Sequence, residues 1–160
     1  MKQRDLACFT HAELAAHTHA ELAEARLYVT DRTEKDVQDG TKKGSLCADD
    51  LNRIENNSAY LRNKLALYGF YAVFQEKWDW DMTDWPILKE LNRIRDAVGL
   101  LCSCYYVWPQ TPELPEDLSH PYYAQFNVIE QVQKDLDGII DKMVEGYRYC
   151  NDCYCGEEWI

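Results

Sequence analysis

The stretch LNRIENNSAYL, residues 51–61, contains a short pattern that returns twice farther along the chain. It reappears as LNRI at residues 91–94 and, more loosely, as FNVIE at residues 126–130. Each copy places a large apolar residue three positions before an isoleucine, and positions i and i+3 lie on the same face of a helix. Each copy therefore predicts a helix with one buried edge, and three such helices favour a bundle.

An asparagine follows the first apolar residue of every copy: Asn52, Asn92 and Asn127. A side-chain amide both donates and accepts hydrogen bonds. Its repeated place beside the buried edge indicates that it bridges neighbouring helices or loops. Arg53 and Arg93 occupy the following position, and we group them with the asparagines as candidate structural residues.

Three long helices are predicted at about 50–68, 86–105 and 122–146, where apolar residues recur at helical spacing. Gly69 and Gly146 would end the first and the third of them, because glycine is common just past a helix end. The stretch Phe70–Phe74 fits either a short helix or a strand, and the sequence leaves both open.

Capping residues define the other predicted ends. Asp49 or Asp50 would cap the first long helix. Thr83 or Asp84 would cap the second, with the following proline, at position 86, in its first turn.

The N-terminal region contains a tandem repeat, THAEL at residues 10–14 and again at 18–22. Each copy is a Thr-x-x-Glu capping box and predicts the start of a short helix. We expect helices at about 11–16 and 19–27, and a third near 34–38.

The predicted fold is all-α and has three parts. Residues 1–46 form a segment of short helices, residues 47–146 form the bundle of three long helices, and residues 147–160 form an irregular tail rich in aromatic residues and cysteine.

Composition limits the classes of function. The 160 residues are 46% hydrophobic, which is enough for a buried core, and carry a formal net charge of −11. An acidic surface repels phosphate backbones and anionic lipids, so we expect neither nucleic acid nor membrane as a partner. No transmembrane or export segment is predicted, and the cysteines are expected to be reduced in the cytoplasm.

Two clusters have residues that bind metals in other proteins. Cys150, Cys153 and Cys155 lie in the tail, and His17 and His19 lie in the N-terminal repeat. A structural zinc would need four ligands. The candidate second half-site, Cys102 and Cys104, would have its side chains on different sides of a helix. We therefore expect no metal and no cofactor, with the zinc site kept as a candidate. No catalytic constellation is predicted, so we do not expect an enzyme.

Aromatic residues are the best candidates for contacts with other proteins, because Tyr and Trp are favoured interface anchors. These candidates are Trp78, Trp80, Trp85, Tyr147, Tyr149, Tyr154 and Trp159. The Trp-Asp-Trp-Asp segment also fits a carbohydrate-binding surface, although a loop anchored by its own tryptophans is the more common structure. Acidic residues of the third helix, including Glu130, Asp137 and Asp141, are interpreted mostly as solvated surface.

Four stretches in the same order resemble a family of small structural proteins from tailed phages and prophages of gut Firmicutes. They are the THAEL repeat, TDRTEKDV at 30–37, DLNRIE at 50–55 with the Tyr-Leu pair at 60–61, and KWDWDMTDWP at 77–86. The ending GYRY at 146–149 with YCGE at 154–157 also fits, so the resemblance covers nearly the whole chain. Cys150 and Cys153 depart from the family pattern.

The resemblance implies a virion component made in the host cytoplasm. It would act in the tail, the baseplate or a fibre attachment by oligomerising or by contacting other tail proteins. The alternative suggested by the charge is an acidic phage-encoded inhibitor of a host defence protein. A carbohydrate-binding receptor module is the third hypothesis.

Overall fold

The computed structural model describes residues 28–84 and 86–151, without the side chains of residues 147–151. Within those residues the chain forms four α-helices and no strand, which confirms the all-α prediction. They are α1 (Glu34–Gln38), α2 (Ala48–Ala66), α3 (Leu88–Cys104) and α4 (Tyr123–Asn151). The predicted helices at 11–16 and 19–27 lie outside the described residues.

The three long helices pack against one another around a shared apolar core. Each contributes the stripe that its repeat predicts, and a fully buried leucine or isoleucine stabilises the fold by roughly 1.5–3 kcal/mol. The fully buried side chains include Ile54, Leu61 and Leu65 of α2, Ile94, Val98 and Leu101 of α3, and Ile129, Leu136 and Ile140 of α4. Leu88, the first residue of α3, is exposed.

α2 begins and ends with hydrogen bonds that its sequence explains. Asp50 is not the N-cap but the third helical residue, and its carboxylate accepts from the backbone N–H of Cys47, which is the cap. At the other end Gly69 adopts φ +87°, and the Phe70 N–H donates to the Leu65 carbonyl. Only glycine adopts such a φ without strain, so Gly69 terminates the helix as predicted.

The predicted start of α3 was two residues early. Ile87 is the N-cap, and the Glu90 carboxylate accepts from its backbone N–H. Thr83 and Asp84 do not cap this helix, because both are used in the preceding turn. There the Thr83 hydroxyl donates to Asp81, and the Asp84 carboxylate accepts from the Asp81 N–H.

α4 continues past Gly146 to Asn151, so the prediction that the helix ends at 146 was wrong. A helix-ending glycine needs a positive φ, and among the described glycines only Gly40 and Gly69 have one. The first residues of the predicted irregular tail, 147–151, are therefore helical. Residues 152–160 lie outside the described part.

α1 is short and is the predicted helix near 34–38. Its N-cap Thr33 and Asp36 form a capping box, each side chain accepting from the other's backbone N–H. The loop after α1 returns so closely that a Cβ on Gly44 would lie 2.2 Å from the Asp36 carbonyl. None of the described helices is long and apolar enough to cross a membrane.

Candidate functional site

The connecting segments are fastened to the long helices by three asparagine bridges. Asn52 Nδ2 donates to the Trp80 carbonyl at 2.9 Å, and its Oδ1 accepts from the Trp80 N–H at 3.0 Å. Asn127 makes the same pair of bonds with the backbone of Arg32, at 2.9 and 3.2 Å. The Asn92 amide oxygen accepts from the Leu118 N–H at 3.0 Å. Each asparagine is the fifth residue of its helix.

The bridges follow one another in a cycle. The asparagine of α2 holds the segment that leads into α3, and that of α3 holds the segment that leads into α4. The asparagine of α4 holds the segment that leads into α1 and α2. The repeated sequence pattern thus corresponds to a repeated structural unit. These are amide bridges between helices and loops, as the repeated asparagine in the sequence pattern indicated.

Glu55 completes the bridge at Asn52. Glu55 is 3% exposed. Its carboxylate accepts from the Lys77 N–H at 2.7 Å and from the Trp80 indole N–H at 2.8 Å. Arg93 of α3 adds two further bonds, at 2.6 and 2.7 Å. Backbone, indole and guanidinium therefore meet on one buried carboxylate, joining α2, α3 and the segment between them.

Glu130 does the same at Asn127. It is 0% exposed and accepts from the Val29 N–H at 2.8 Å, from Arg32 at 2.7 Å and from Arg53 at 2.8 and 3.2 Å. In both units the N–H bound by glutamate lies three residues before the N–H bound by asparagine. The interpretation of Glu130 as solvated surface was wrong, because its carboxylate faces Arg32 and Arg53 rather than water.

The bridge at Asn92 has a different composition. The residue three positions before Leu118 is Pro115, which has no N–H to donate. The position equivalent to the glutamates is Arg95, and its guanidinium donates to the Pro115 carbonyl at 3.4 Å. At this junction the helix side chain is the donor and the backbone of the segment is the acceptor, the reverse of the bonds that Glu55 and Glu130 make. Val128 stands at the position that corresponds to Arg53 and Arg93.

Buried ion pairs extend along the contact between α2 and α4. Lys64 is 3% exposed and donates to Asp137 at 2.7 Å and to Asp141 at 2.6 Å. Asp137 is buried, so its interpretation as solvated surface was also wrong.

Burial raises the pKa of the Asp50 carboxyl, but hydrogen bonds from Cys47 and Arg53 outweigh burial and its pKa is lowered. Removing one member of such a pair leaves a buried charge without its partner.

The tryptophan segment is divided between core and surface. Trp80 is 3% exposed, and the Lys77 ammonium lies 4.1 Å from the centroid of its ring. The indole therefore offers no face to a partner or a sugar, and Trp80 is a core residue rather than an interface candidate. Trp78 is half-buried, while Trp85 lies outside the described residues.

Large apolar side chains are instead exposed on the fastened segments. Val73 is 88% exposed, Met82 87% and Tyr71 72%. Sequence reasoning did not select them. The sequence feature that could have identified Tyr71 and Val73 is the alternation of Tyr71, Ala72, Val73 and Phe74. It puts every second side chain outward when the backbone is extended.

The remaining sequence candidates are placed only in part. Tyr147, Tyr149 and Cys150 lie on the last turns of α4, whose side chains are not described. Tyr154, Trp159, Cys153, Cys155, His17 and His19 lie outside the described residues. Among the residues that are described, no group of three or more His, Cys, Asp or Glu side chains is arranged to hold a metal. Burial raises the pKa of the Cys102 thiol to about 11.

Comparison of the chain with family models, with curated proteins and with solved structures found no match.

Proposed function

We propose that this chain is a structural component of a phage virion, in the tail, the baseplate or a fibre attachment, and that it acts through protein–protein contacts. The resemblance of its ordered motifs to small phage tail proteins supports the assignment. In this proposal the three-helix bundle is a rigid scaffold made in the host cytoplasm. The THAEL repeat and the aromatic tail join neighbouring subunits, including copies of the chain itself.

One observation carries the proposal: exposed apolar side chains stand on segments that are fastened to the helices. Val73 and Met82 flank the bridge at Asn52 along the chain, and Trp80 between them is held by three hydrogen bonds. A fixed backbone loses little conformational freedom when it binds, which favours association. Exposed apolar groups on such a backbone are therefore available for protein–protein contact.

The proposal is tested by mass spectrometry of gradient-banded particles from the producing phage or prophage. We expect the chain to be present at a copy number that is a multiple of three or six per particle, as in a tail ring or fibre. Clean absence from particles, with abundant protein in the infected cell, would overturn the assignment.

The net charge of −11 favours a second candidate, an acidic inhibitor of a host defence protein. Such a protein would be missing from particles. It would bind a basic host factor with an affinity that falls steeply as salt is added, because surface charges are screened over about 8 Å at physiological ionic strength.

A further inference from the structure

The three asparagine bridges differ in the residue that each one fastens. Two of them fasten a residue of the apolar core: Trp80 is 3% exposed and Leu118 is 1% exposed. The bridge on α4 fastens Arg32, whose guanidinium donates to Glu130 at 2.7 Å and to Asp50 at 3.3 Å. Polar contacts therefore hold the third segment where apolar burial helps to hold the other two.

The segment fastened to α4 is continuous with α1 and the loop after it, and we call residues 28–45 the strap. Arg32 is the only buried residue in this range, and no side chain of the range belongs to the apolar core. Leu46 is the first residue after the strap that packs against that core. A cavity of about 180 Å³, lined in part by Val37 and Phe126, lies between the strap and the start of α4. The strap therefore adds little apolar burial to the bundle.

The strap's polar contacts run along one side of α4. Asn127, Glu130 and Asp137 follow one another at spacings of three and seven residues, which place them on the same helical face. Besides the bonds that Asn127 makes, the Val29 N–H donates to Glu130 at 2.8 Å and the Tyr28 hydroxyl donates to Asp137 at 3.2 Å. The strap is thus held along this face by hydrogen bonds and ion pairs.

The carboxylates that hold the strap are also paired with cations of α2. Arg53 donates to Glu130 at 2.8 Å and lies 2.6 Å from Asp50, and Lys64 donates to Asp137 at 2.7 Å. A carboxylate left without a cation in a buried site would strongly oppose opening. Because these pairs do not involve the strap, each carboxylate keeps a cation when the strap leaves.

We propose that the strap is a releasable unit, which detaches from α2 and α4 while the three long helices stay folded. Proteins open in cooperative units of unequal stability, and units with few buried apolar contacts open most readily. The THAEL repeat precedes the strap in the chain, so release extends the reach of the repeat toward a neighbouring subunit. The inference deepens the proposed function and rests on it only for this use of the repeat.

The test is native-state hydrogen exchange of the purified full chain, measured at single amides. The Val29 N–H donates to Glu130 as the Lys77 N–H donates to Glu55, at 2.8 and 2.7 Å, so Lys77 is the matched internal reference. Each exchange rate is divided by the rate of the same amide in an unstructured chain. We expect this ratio to be at least about tenfold larger for Val29 than for Lys77, because opening the strap does not require the long helices to unfold.

Two substitutions separate release of the strap from loss of the whole fold. Arg32→Ala removes the guanidinium of the strap, and we expect exchange at Val29 to become about tenfold faster or more while exchange at Ile94 of α3 changes less than about twofold. Leu118→Ala, at the equivalent position of the bridge on α3, truncates the core and should speed exchange at Val29 and Ile94 alike. Circular dichroism verifies that each variant is folded.

Lys42→Ala is the control on the strap itself, since it removes an exposed cation whose ion pair with Asp49 lies on the surface. It should leave exchange at Val29 unchanged. Equal ratios at Val29 and Lys77 in the wild-type chain would overturn the inference. So would an Arg32→Ala variant in which exchange at Ile94 speeds up as much as exchange at Val29.

The outcomes separate this inference from the proposed function, because exchange is measured on the isolated chain. Fast exchange of the strap together with absence of the chain from particles would retain the releasable strap and reject the virion assignment. A chain present in particles whose strap exchanges as slowly as the segment at Lys77 would do the reverse.

Discussion

At the scale of single residues, Asn52 shows how much one amide contributes. Asn52→Ala removes both hydrogen bonds to the buried backbone of Trp80 and leaves an N–H and a carbonyl without partners. Each such group costs about 1–3 kcal/mol. Because the costs of neighbouring groups do not add in full, we expect a loss of about 2–4 kcal/mol in the free energy of unfolding. The measurement is chemical denaturation, with the melting temperature as a second readout.

Asn92→Ala is the graded comparison, because Asn92 makes one bond to the Leu118 N–H where Asn52 makes two bonds to Trp80. The loss in the free energy of unfolding should be smaller for Asn92→Ala than for Asn52→Ala. An unchanged melt for Asn52→Ala, or a larger loss for Asn92→Ala, would contradict the bridging role.

The sequence predicted the asparagines but not the glutamates beside them. The amides could be found because they recur at one position beside an apolar stripe. Glu130 could not, since helical periodicity separates apolar from polar faces but does not tell a solvated polar face from one packed against arginine. Only the arrangement of Arg32 and Arg53 around it makes a fully buried carboxylate stable.

At the scale of helices, a substitution at Gly146 tests whether α4 ends at this residue or continues past it. A Cβ at this position would meet nothing within 4 Å, and the residue lies inside α4. Gly146→Ala should therefore raise the free energy of unfolding by about 0.5–1 kcal/mol, because alanine loses less backbone entropy in a helix.

A destabilised Gly146→Ala variant would indicate a positive φ and a helix that stops there. Gly69→Ala is the contrasting control. Gly69 has φ +87°, so the same substitution is expected to destabilise the chain.

Helix existence was predictable and helix ends were less so. The three apolar stripes placed α2, α3 and α4 because their spacing leaves few alternatives. The ends depend on single dihedral angles and on competing hydrogen bonds. Thr83 and Asp84 have the right chemistry for a cap, but their side chains form hydrogen bonds with Asp81 and Lys77 instead.

At the scale of the whole molecule, ionised carboxylates make stability depend on pH. The lowered pKa of Asp50 means that the unfolded chain binds its proton more readily, so its contribution is present above the usual value of 3.8 and is lost below it. The difference in melting temperature between wild type and Asp50→Asn should be largest near pH 6 and shrink as the pH falls below about 3.8.

Glu76 provides a control of opposite sign. Burial raises its pKa above the usual 4.5, and Arg62 only partly offsets this. Its contribution is therefore present below 4.5 and is lost as the pH rises through the raised value. The stability of Glu76→Gln relative to wild type should increase over that range, and a difference independent of pH for both variants would contradict the assignment.

The cyclic order of the bridges has a consequence for how the chain is made. The bridges at Asn52 and Asn92 join residues 28 and 26 positions apart, whereas the one at Asn127 spans 95. On the ribosome the first two can close soon after their own helices emerge, but the segment before α1 must wait until the first turns of α4 have been synthesised. Long loops close late and slow folding. A nascent chain paused before α4 would hold two closed junctions and an unpaired leading segment open to proteolysis.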